Sequence, residues 1–321
     1  MNILVTGGCG FIGTRLCEVL VEQGHIVVNL DRLTYAANVE RAHELQETGR
    51  YTLIEGDCCN WSLVFGLLHE YCIDAVMHLA AESHVDRSIS GPQTFMEANV
   101  MGTYGVLEGV RGYLPNAPPD FRMLHVSTDE VFGDLPIHSP TMFDEESRYR
   151  PSSPYSASKA AGDWLVKSWG RTFGVPWVIT HGANAYGPRQ LPDKLIPMAI
   201  TNGIKGEPIT IHGDGRNVRS WLHVDDHVSG LIAVLNGGEL MNAYCLEAHT
   251  ERNNIAVCEL IRDLLYESGY EAELRFVPDR PGNDLRYSMD GSKVRRHTSW
   301  SPKVVFHEGL YETIDWYIKH G

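Results

Sequence analysis

Three glycines, Gly7, Gly10 and Gly13, stand at three-residue spacing between the apolar run Ile3-Leu4-Val5 and a helical pattern carried by Leu16, Val19 and Leu20. Gly24 ends that helix, and a second β-like run, Ile26 to Leu30, closes at Asp31. A glycine triplet alone says little. Strand, glycines, helix, strand and terminal acid in one unit specify a βαβ fold built to hold a dinucleotide. The glycines let the backbone and the helix N-terminus approach a pyrophosphate, whose charge the helix dipole favours. Asp31, about 20 residues further on, is placed to accept from adenosine ribose hydroxyls. Its charge repels a 2′-phosphate, which favours NAD over NADP.

The rest of the chain continues the alternation. Tyr51 to Glu55 reads as a third strand that ends at Asp57-Cys58, on the adenine edge. Ala75 to Leu79 reads as a fourth, opening into Ala80-Ala81-Glu82-Ser83-His84-Val85-Asp86. The small residues of that exit let a cofactor lie across the sheet edge, so Leu79 and Ala81 are expected beside it. Ser83 is the first side chain there able to reach a substrate hydroxyl, and His84 is read as structural. Phe95 to Gly112 is expected to form one helix, with Asn99 on its inner side orienting the cofactor. The pattern predicts an α/β protein: a Rossmann-type doubly wound parallel sheet with a smaller C-terminal α/β substrate lobe. The division is expected near residue 180. Residues 1–180 would bind NAD and carry the catalytic groups; residues 181–321 would mainly bind substrate, with some segments returning to the sheet.

The fifth strand, Phe121 to Val126, delivers Ser127-Thr128-Asp129-Glu130. Ligands bind at the carboxyl ends of strands in such sheets. A hydroxyl pair beside an acid pair there can hold one alcohol while two carboxyls move protons on neighbouring carbons. Pro151-Ser152-Ser153-Pro154 then caps a helix in which Tyr155 and Lys159, four residues apart, share a face. A free phenol titrates at about 10, and bringing it to neutrality takes about 4 kcal/mol of phenolate stabilisation. Lys159 and a cationic nicotinamide are the expected source. Beyond a sixth strand, Trp177 to Thr180, Asp193 to Pro197 starts a helix, and Ile209-Thr210-Ile211-His212 forms a strand and turn. Arg219 and Arg280 sit among aromatic and turn residues, where a guanidinium either forks onto a diphosphate or makes a surface ion pair. Phe306 to His320 is an amphipathic packing helix.

Composition narrows the partners. With 27 basic against 41 acidic residues the formal charge is −14, which argues against nucleic acid or an anionic membrane as the main partner. Hydrophobic residues make up 43% of the chain, enough for a substantial core, and no apolar run approaches a membrane span. The seven cysteines are scattered without metal-ligand spacing, so no metal is expected and the thiols are read as reduced and cytoplasmic. Met1 leads straight into a strand pattern, leaving no room for a signal peptide.

Together, the glycine unit, Asp31-Arg32-Leu33-Thr34-Tyr35-Ala36, His78 to Asp86, Ser127 to Gly133, Tyr155-x-x-x-Lys159, Asp193 to Pro197 and Asp279-Arg280-Pro281-Gly282 resemble one family from end to end. It is the nucleoside-diphosphate-glucose 4,6-dehydratases, extended short-chain dehydrogenases/reductases. The Thr-Asp-Glu run is the most specific element, since related epimerases and decarboxylases lack both acids together. The resemblance implies C4 oxidation by NAD with Tyr155 as base, Lys159 beside it and Thr128 on the developing oxygen. Glu130 would then remove the C5 proton while Asp129 protonates the departing C6 hydroxyl, and hydride would return to C6. It implies cofactor contacts from Gly10, Phe11, Ile12, Asp31, Asp57, Cys58, Tyr155 and Lys159. Substrate contacts are implied for Ser83, Thr128, Asn184, Lys194, Leu195, Arg219 and Arg280, and are further expected from Thr210, Ile211, His212 and Asn283. A homodimer is implied, built from the helices Phe95–Gly112 and Tyr155–Phe173.

The chain departs from the family at Ala185, at Arg189 to Asp193, at Thr250 and at Asn283, all near nucleotide recognition. The nucleobase order is therefore dTDP-glucose first, UDP-glucose as rival, CDP-glucose last. Two other readings stand beside the dehydratase: a nucleotide-sugar C4-epimerase or UDP-glucuronate decarboxylase, which needs no second acid, and a non-enzymatic NAD-sensing module, which needs no Tyr155/Lys159 pair.

Overall fold

The structure, a computed structural model, describes residues 1–279 and 282–320. Six strands fall in the first part of the chain: β1 (Asn2–Thr6), β2 (Ile26–Asp31), β3 (Tyr51–Glu55), β4 (Ala75–His78), β5 (Arg122–Thr128) and β6 (Trp177–Gly182). Six more follow: β7 (Asn184–Tyr186), β8 (Ile209–His212), β9 (Val218–His223), β10 (Asn242–Leu246), β11 (Glu251–Asn253) and β12 (Leu274–Val277). The helices that matter below are α1 (Phe11–Glu22), α2 (Trp61–Glu70), α3 (Gly102–Tyr113), α4 (Pro154–Phe173), α5 (Leu195–Ile204), α6 (Val224–Gly237), α7 (Asn254–Glu267) and α8 (Phe306–His320).

Seven strands form one parallel sheet in the order β10-β6-β5-β4-β1-β2-β3. Both faces are covered, so each strand reads as an apolar run rather than an alternation. Ile3 and Val5 pack with Leu16, Val228 and Leu231 on the α1/α6 face, whereas Leu4 packs with Leu67, Val106 and Val166 on the α2/α3/α4 face. A third cluster, from Ile196, Ile200, Ile261, Leu265 and Leu310, joins α5, α7 and α8 into the lobe. Two small sheets complete that lobe, β11-β9-β7 and β12-β8. The sheet draws its edge strand from well beyond residue 180: β10 pairs in parallel with β6, and α6, which leads to it, packs against α1.

The expected helix 95–112 is not uniform. A short helix Pro92–Phe95 passes into a π-helical turn, Met96–Met101, before α3 begins at Gly102. Such turns hold one residue more per turn than an α-helix, and Asn99 within it is buried, 3% exposed. α4 starts as its capping sequence predicts: Ser153 Oγ accepts from the Ser156 amide at 3.1 Å, Pro154 occupies the first turn, and Gly174 ends the helix in the left-handed region.

Candidate active site

A cleft of about 1260 Å³ runs along the carboxyl edge of the large sheet, between it and the lobe. Its first half fits a dinucleotide. Gly7, Gly10, Phe11, Ile12 and Gly13 line it at the start of α1, which has Gly10 as N-cap, no side-chain cap and no acid in its first turn. The amide donors of that turn are thus left to a ligand. No other residue would close the turn: a methyl at Gly13 would lie 2.1 Å from the Gly7 carbonyl oxygen. Asp31 stands at the end of β2 with its carboxylate fixed by the amides of Leu33 and Cys9, both at 2.9 Å. Asp57, Cys58, Leu79 and Ala81 also line the cleft, and Arg32 pairs with Asp57 at 3.5 Å. These residues fit NAD.

Asn99 corrects the sequence expectation. It does not line the cleft but lies one layer behind, accepting from the Glu82 amide at 2.8 Å and donating to the Glu82 carbonyl at 3.0 Å and to Ser158 Oγ at 2.8 Å. It ties the β4 exit loop to α4 and orients cleft residues without facing the cleft.

The second half holds the acid pair. β5 ends at Thr128, and a 3₁₀ turn, Asp129–Phe132, swings both carboxyls to the cleft. Thr128 Oγ donates to Asp129 Oδ1 at 3.2 Å, accepts from the Glu130 amide at 3.3 Å and is a hydrogen-bonding neighbour of the Tyr155 phenol. Burial, and after it the charge of Glu130, pushes Asp129 up to about 8 against the opposing pull of Arg219. Among the described residues Asp129 Oδ2 has no partner. Burial beside a second carboxylate is how an acid keeps its proton at neutral pH.

Tyr155 and Lys159 line the same region from α4. Lys159 Nζ donates to the Val126 carbonyl at 2.7 Å, and burial lowers it to about 8 while Asp163 pulls the other way. The expected lowering of Tyr155 is not what the chain's own groups produce. Burial raises the phenol, Glu130 raises it further, and Thr128 opposes them. Burial disfavours any charged form, and Lys159 points its ammonium at a backbone carbonyl.

Asp163 was not singled out from sequence, although Tyr155, Lys159 and Asp163 follow one another at four-residue spacing on one helix face. It is fully buried and accepts from Ser127 Oγ and Tyr149 Oη, both at 2.9 Å, with His181 Nε2 at 3.2 Å and His125 Nε2 at 3.3 Å. Burial pushes the carboxyl up, but the two histidines outweigh it and hold Asp163 below its ordinary range.

At the substrate end Lys194 Nζ donates to the Ser83 carbonyl at 2.7 Å, so two predicted residues meet across the cleft mouth. Ser83, Asn184, Lys194, Leu195, Ile211, His212, Arg219 and Asn283 all line the cleft; Thr210, expected with them, does not. Arg219 is buried and partly committed: it donates to Asn283 Oδ1 at 3.1 Å and the Asp284 carbonyl at 2.9 Å, and its guanidinium lies 4.4 Å over the Tyr287 ring. Arg280 lies outside the described residues. Asp284 and Tyr287, absent from the sequence reading, line the cleft and hydrogen-bond each other. Among the described residues no group of three or more His, Cys, Asp and Glu could hold a metal, and no helix is long and apolar enough to cross a membrane.

A glycine-led dinucleotide cradle, a Tyr/Lys pair on the helix after β5 and a lobe over the sheet's carboxyl edge define an extended short-chain dehydrogenase/reductase. The chain belongs to the nucleotide-sugar 4,6-dehydratase family within that class: the family model described as GDP-mannose 4,6 dehydratase matches residues 4–313. It is 45% identical to the dTDP-glucose 4,6-dehydratase of Haemophilus influenzae, covering 99% of this chain and 98% of that one. Among solved structures it is similar to DesIV, the dTDP-glucose 4,6-dehydratase of Streptomyces venezuelae with NAD and TYD bound, at 39% identity and TM-score 0.92, covering 100% and 98% of the two chains. The UDP-glucose 4-epimerase of Thermotoga maritima has the same fold at 26% identity and TM-score 0.90, covering 99% of each chain.

Proposed function

We propose that this chain is an NAD-dependent nucleoside-diphosphate-glucose 4,6-dehydratase, a hydro-lyase whose substrate is dTDP-glucose. The observation that carries the reading is the adjacent pair Asp129 and Glu130 at the end of β5, both facing the cleft, with Asp129 raised to about 8. NAD, when bound, supplies the acceptor for the C4 hydrogen and the donor that returns it to C6. The chain's residues move the protons. Tyr155 takes the proton of the C4 hydroxyl, with Thr128 holding the same oxygen. The C4 ketone acidifies the C5 hydrogen, which Glu130 removes. Asp129, protonated at neutral pH, gives its proton to the C6 hydroxyl, and water leaves.

An epimerase or a decarboxylase has no use for the second acid, and a sensor has none for Tyr155 and Lys159 on one face. Incubation with dTDP-, UDP- and CDP-glucose tests the reading: the 4-keto-6-deoxy product should form fastest from dTDP-glucose. A galactose epimer alone, or no turnover at all, would overturn it. The names of the relatives, and TYD bound in DesIV, support dTDP over UDP.

The raised Asp129 makes a prediction about pH. The folded state holds a proton on this group between its ordinary value, 3.8, and about 8, whereas the unfolded chain does not. Stability therefore falls as pH rises through that window and is level above it. Asp129→Asn should gain in Tm over wild type as melts are taken from pH 5 to pH 8, with no further gain above. Wild-type turnover should decline above about pH 8, where the acid is lost.

We also propose a homodimer formed through the helices 92–113 and α4. Exposed Ile89, Met96, Met101, Trp164 and Phe173 on and beside them support that surface. Sedimentation at micromolar concentration should give twice the chain mass; a monomer would contradict it. The seven cysteines are all free, which supports a reducing compartment, the cytoplasm.

A further inference from the structure

The floor of the cleft carries a histidine to which the proton movements above give no task. His227, in the first turn of α6, lines the cleft and is 3% exposed. Its ring rests on Gly182, the last residue of β6, where a methyl group would stand 2.6 Å from Cε1 and 2.8 Å from Nε2. Gly182 is the register partner of Thr128 on β5. The imidazole therefore lies one strand away from the hydroxyl and acid pair.

Among the described residues neither ring nitrogen of His227 has a hydrogen-bond partner. A buried polar ring left so costs stability, and a structure keeps it only where something is gained. Burial alone pushes the ring down to about 4, so it is neutral at pH 7. A neutral imidazole presents one N–H donor and one bare nitrogen acceptor. That suits an uncharged group with both an acceptor and a donor and does not suit a phosphate.

The sheet order says which part of a dinucleotide reaches this point. Asp31 on β2 and Asp57 after β3 mark the adenosine end, and the start of α1 beside β1 marks the diphosphate. The other half then runs past β4 and β5 toward β6. There α4 presents Tyr155 and Lys159 from one face of the sheet and α6 presents His227 from the other. The nicotinamide carries a primary carboxamide, one C=O acceptor and one NH₂ donor.

We propose that His227 binds the carboxamide of the nicotinamide and seats that ring toward α6, leaving its opposite face to Tyr155, Lys159 and the sugar. The inference rests on the reading that the cleft takes NAD. Seating of this kind matters for an enzyme that must return a hydride to the molecule it came from.

Calorimetric titration of the full chain with NAD and with the 3-acetylpyridine analogue, whose amide NH₂ is replaced by methyl, tests it. Wild type should prefer NAD. His227→Leu should weaken NAD about tenfold, the worth of one hydrogen bond, and bind the two dinucleotides alike. Its Tm should equal or exceed that of wild type, because an unpaired polar ring has been removed. His227→Gln, which keeps a donor and an acceptor, should retain most of the affinity and serves if the leucine variant does not fold. NAD bound by His227→Leu as tightly and as selectively as by wild type would overturn the proposal alone. Failure of wild type to bind NAD would overturn the dehydratase reading and this inference with it.

Discussion

Glu130→Gln should oxidise C4 of dTDP-glucose and then stall, with NADH absorbance building up after mixing and product forming at least about a hundredfold more slowly than in wild type. Glutamine keeps the size and the hydrogen-bonding reach of the side chain but cannot take a proton. The first step does not need it, because the C4 proton goes to Tyr155. Removing the charge also acts on its neighbours. Glu130 raises both Asp129 and Tyr155, so its loss makes the phenol a readier base and leaves the acid less able to hold its proton. Both changes push the enzyme toward a halt after oxidation. Stopped-flow absorbance with quenched product analysis reads the two stages separately. Product at the wild-type rate would assign the C5 base elsewhere.

Tyr155→Phe should abolish both stages, with a loss of about a thousandfold or more and no NADH signal at all. The buried ring packs edge to face against Phe95, with centroids 6.4 Å apart, and phenylalanine fills the same space. Only the hydroxyl is lost. Binding of dTDP-glucose, measured by equilibrium titration, should change by no more than a fewfold. The two variants differ in kind, one arrested after oxidation and one before it, and the double variant should behave as Tyr155→Phe. NADH accumulating in Tyr155→Phe would show that another group takes the C4 proton.

What could be read from the chain before its structure follows from how local each signal is. The βαβ unit with Gly7, Gly10, Gly13 and Asp31, the Ser153 cap and the Tyr155/Lys159 spacing all lie within one or two turns or one unit, and each is where the sequence placed it. The acid pair was legible because two adjacent residues at a strand end need no partner to be recognised. The environment that raises Asp129 was not, since it depends on burial and is opposed by Arg219 from β9. The Asp163 cluster draws on β5, β6, α4 and Tyr149 from the loop before α4, so no window of sequence contains it. His227 escaped for the same reason: its meaning comes from Gly182, 45 residues earlier (227 − 182) and on another element. Asn99 was found but given the cofactor as its neighbour, whereas its partners Glu82 and Ser158 come from the β4 exit and α4, outside its own segment.

The seventh strand has an implication for anyone building chimeras. Since β10 comes from residues 242–246 and seals the open flank of β6, the N-terminal half is no detachable cassette. Grafting the C-terminal half of a relative to change the nucleobase would import a foreign strand and its crossover helix into the host's own sheet. Exchange of residues 187–194 and 282–287, which contribute no strand to the large sheet, would leave that architecture untouched.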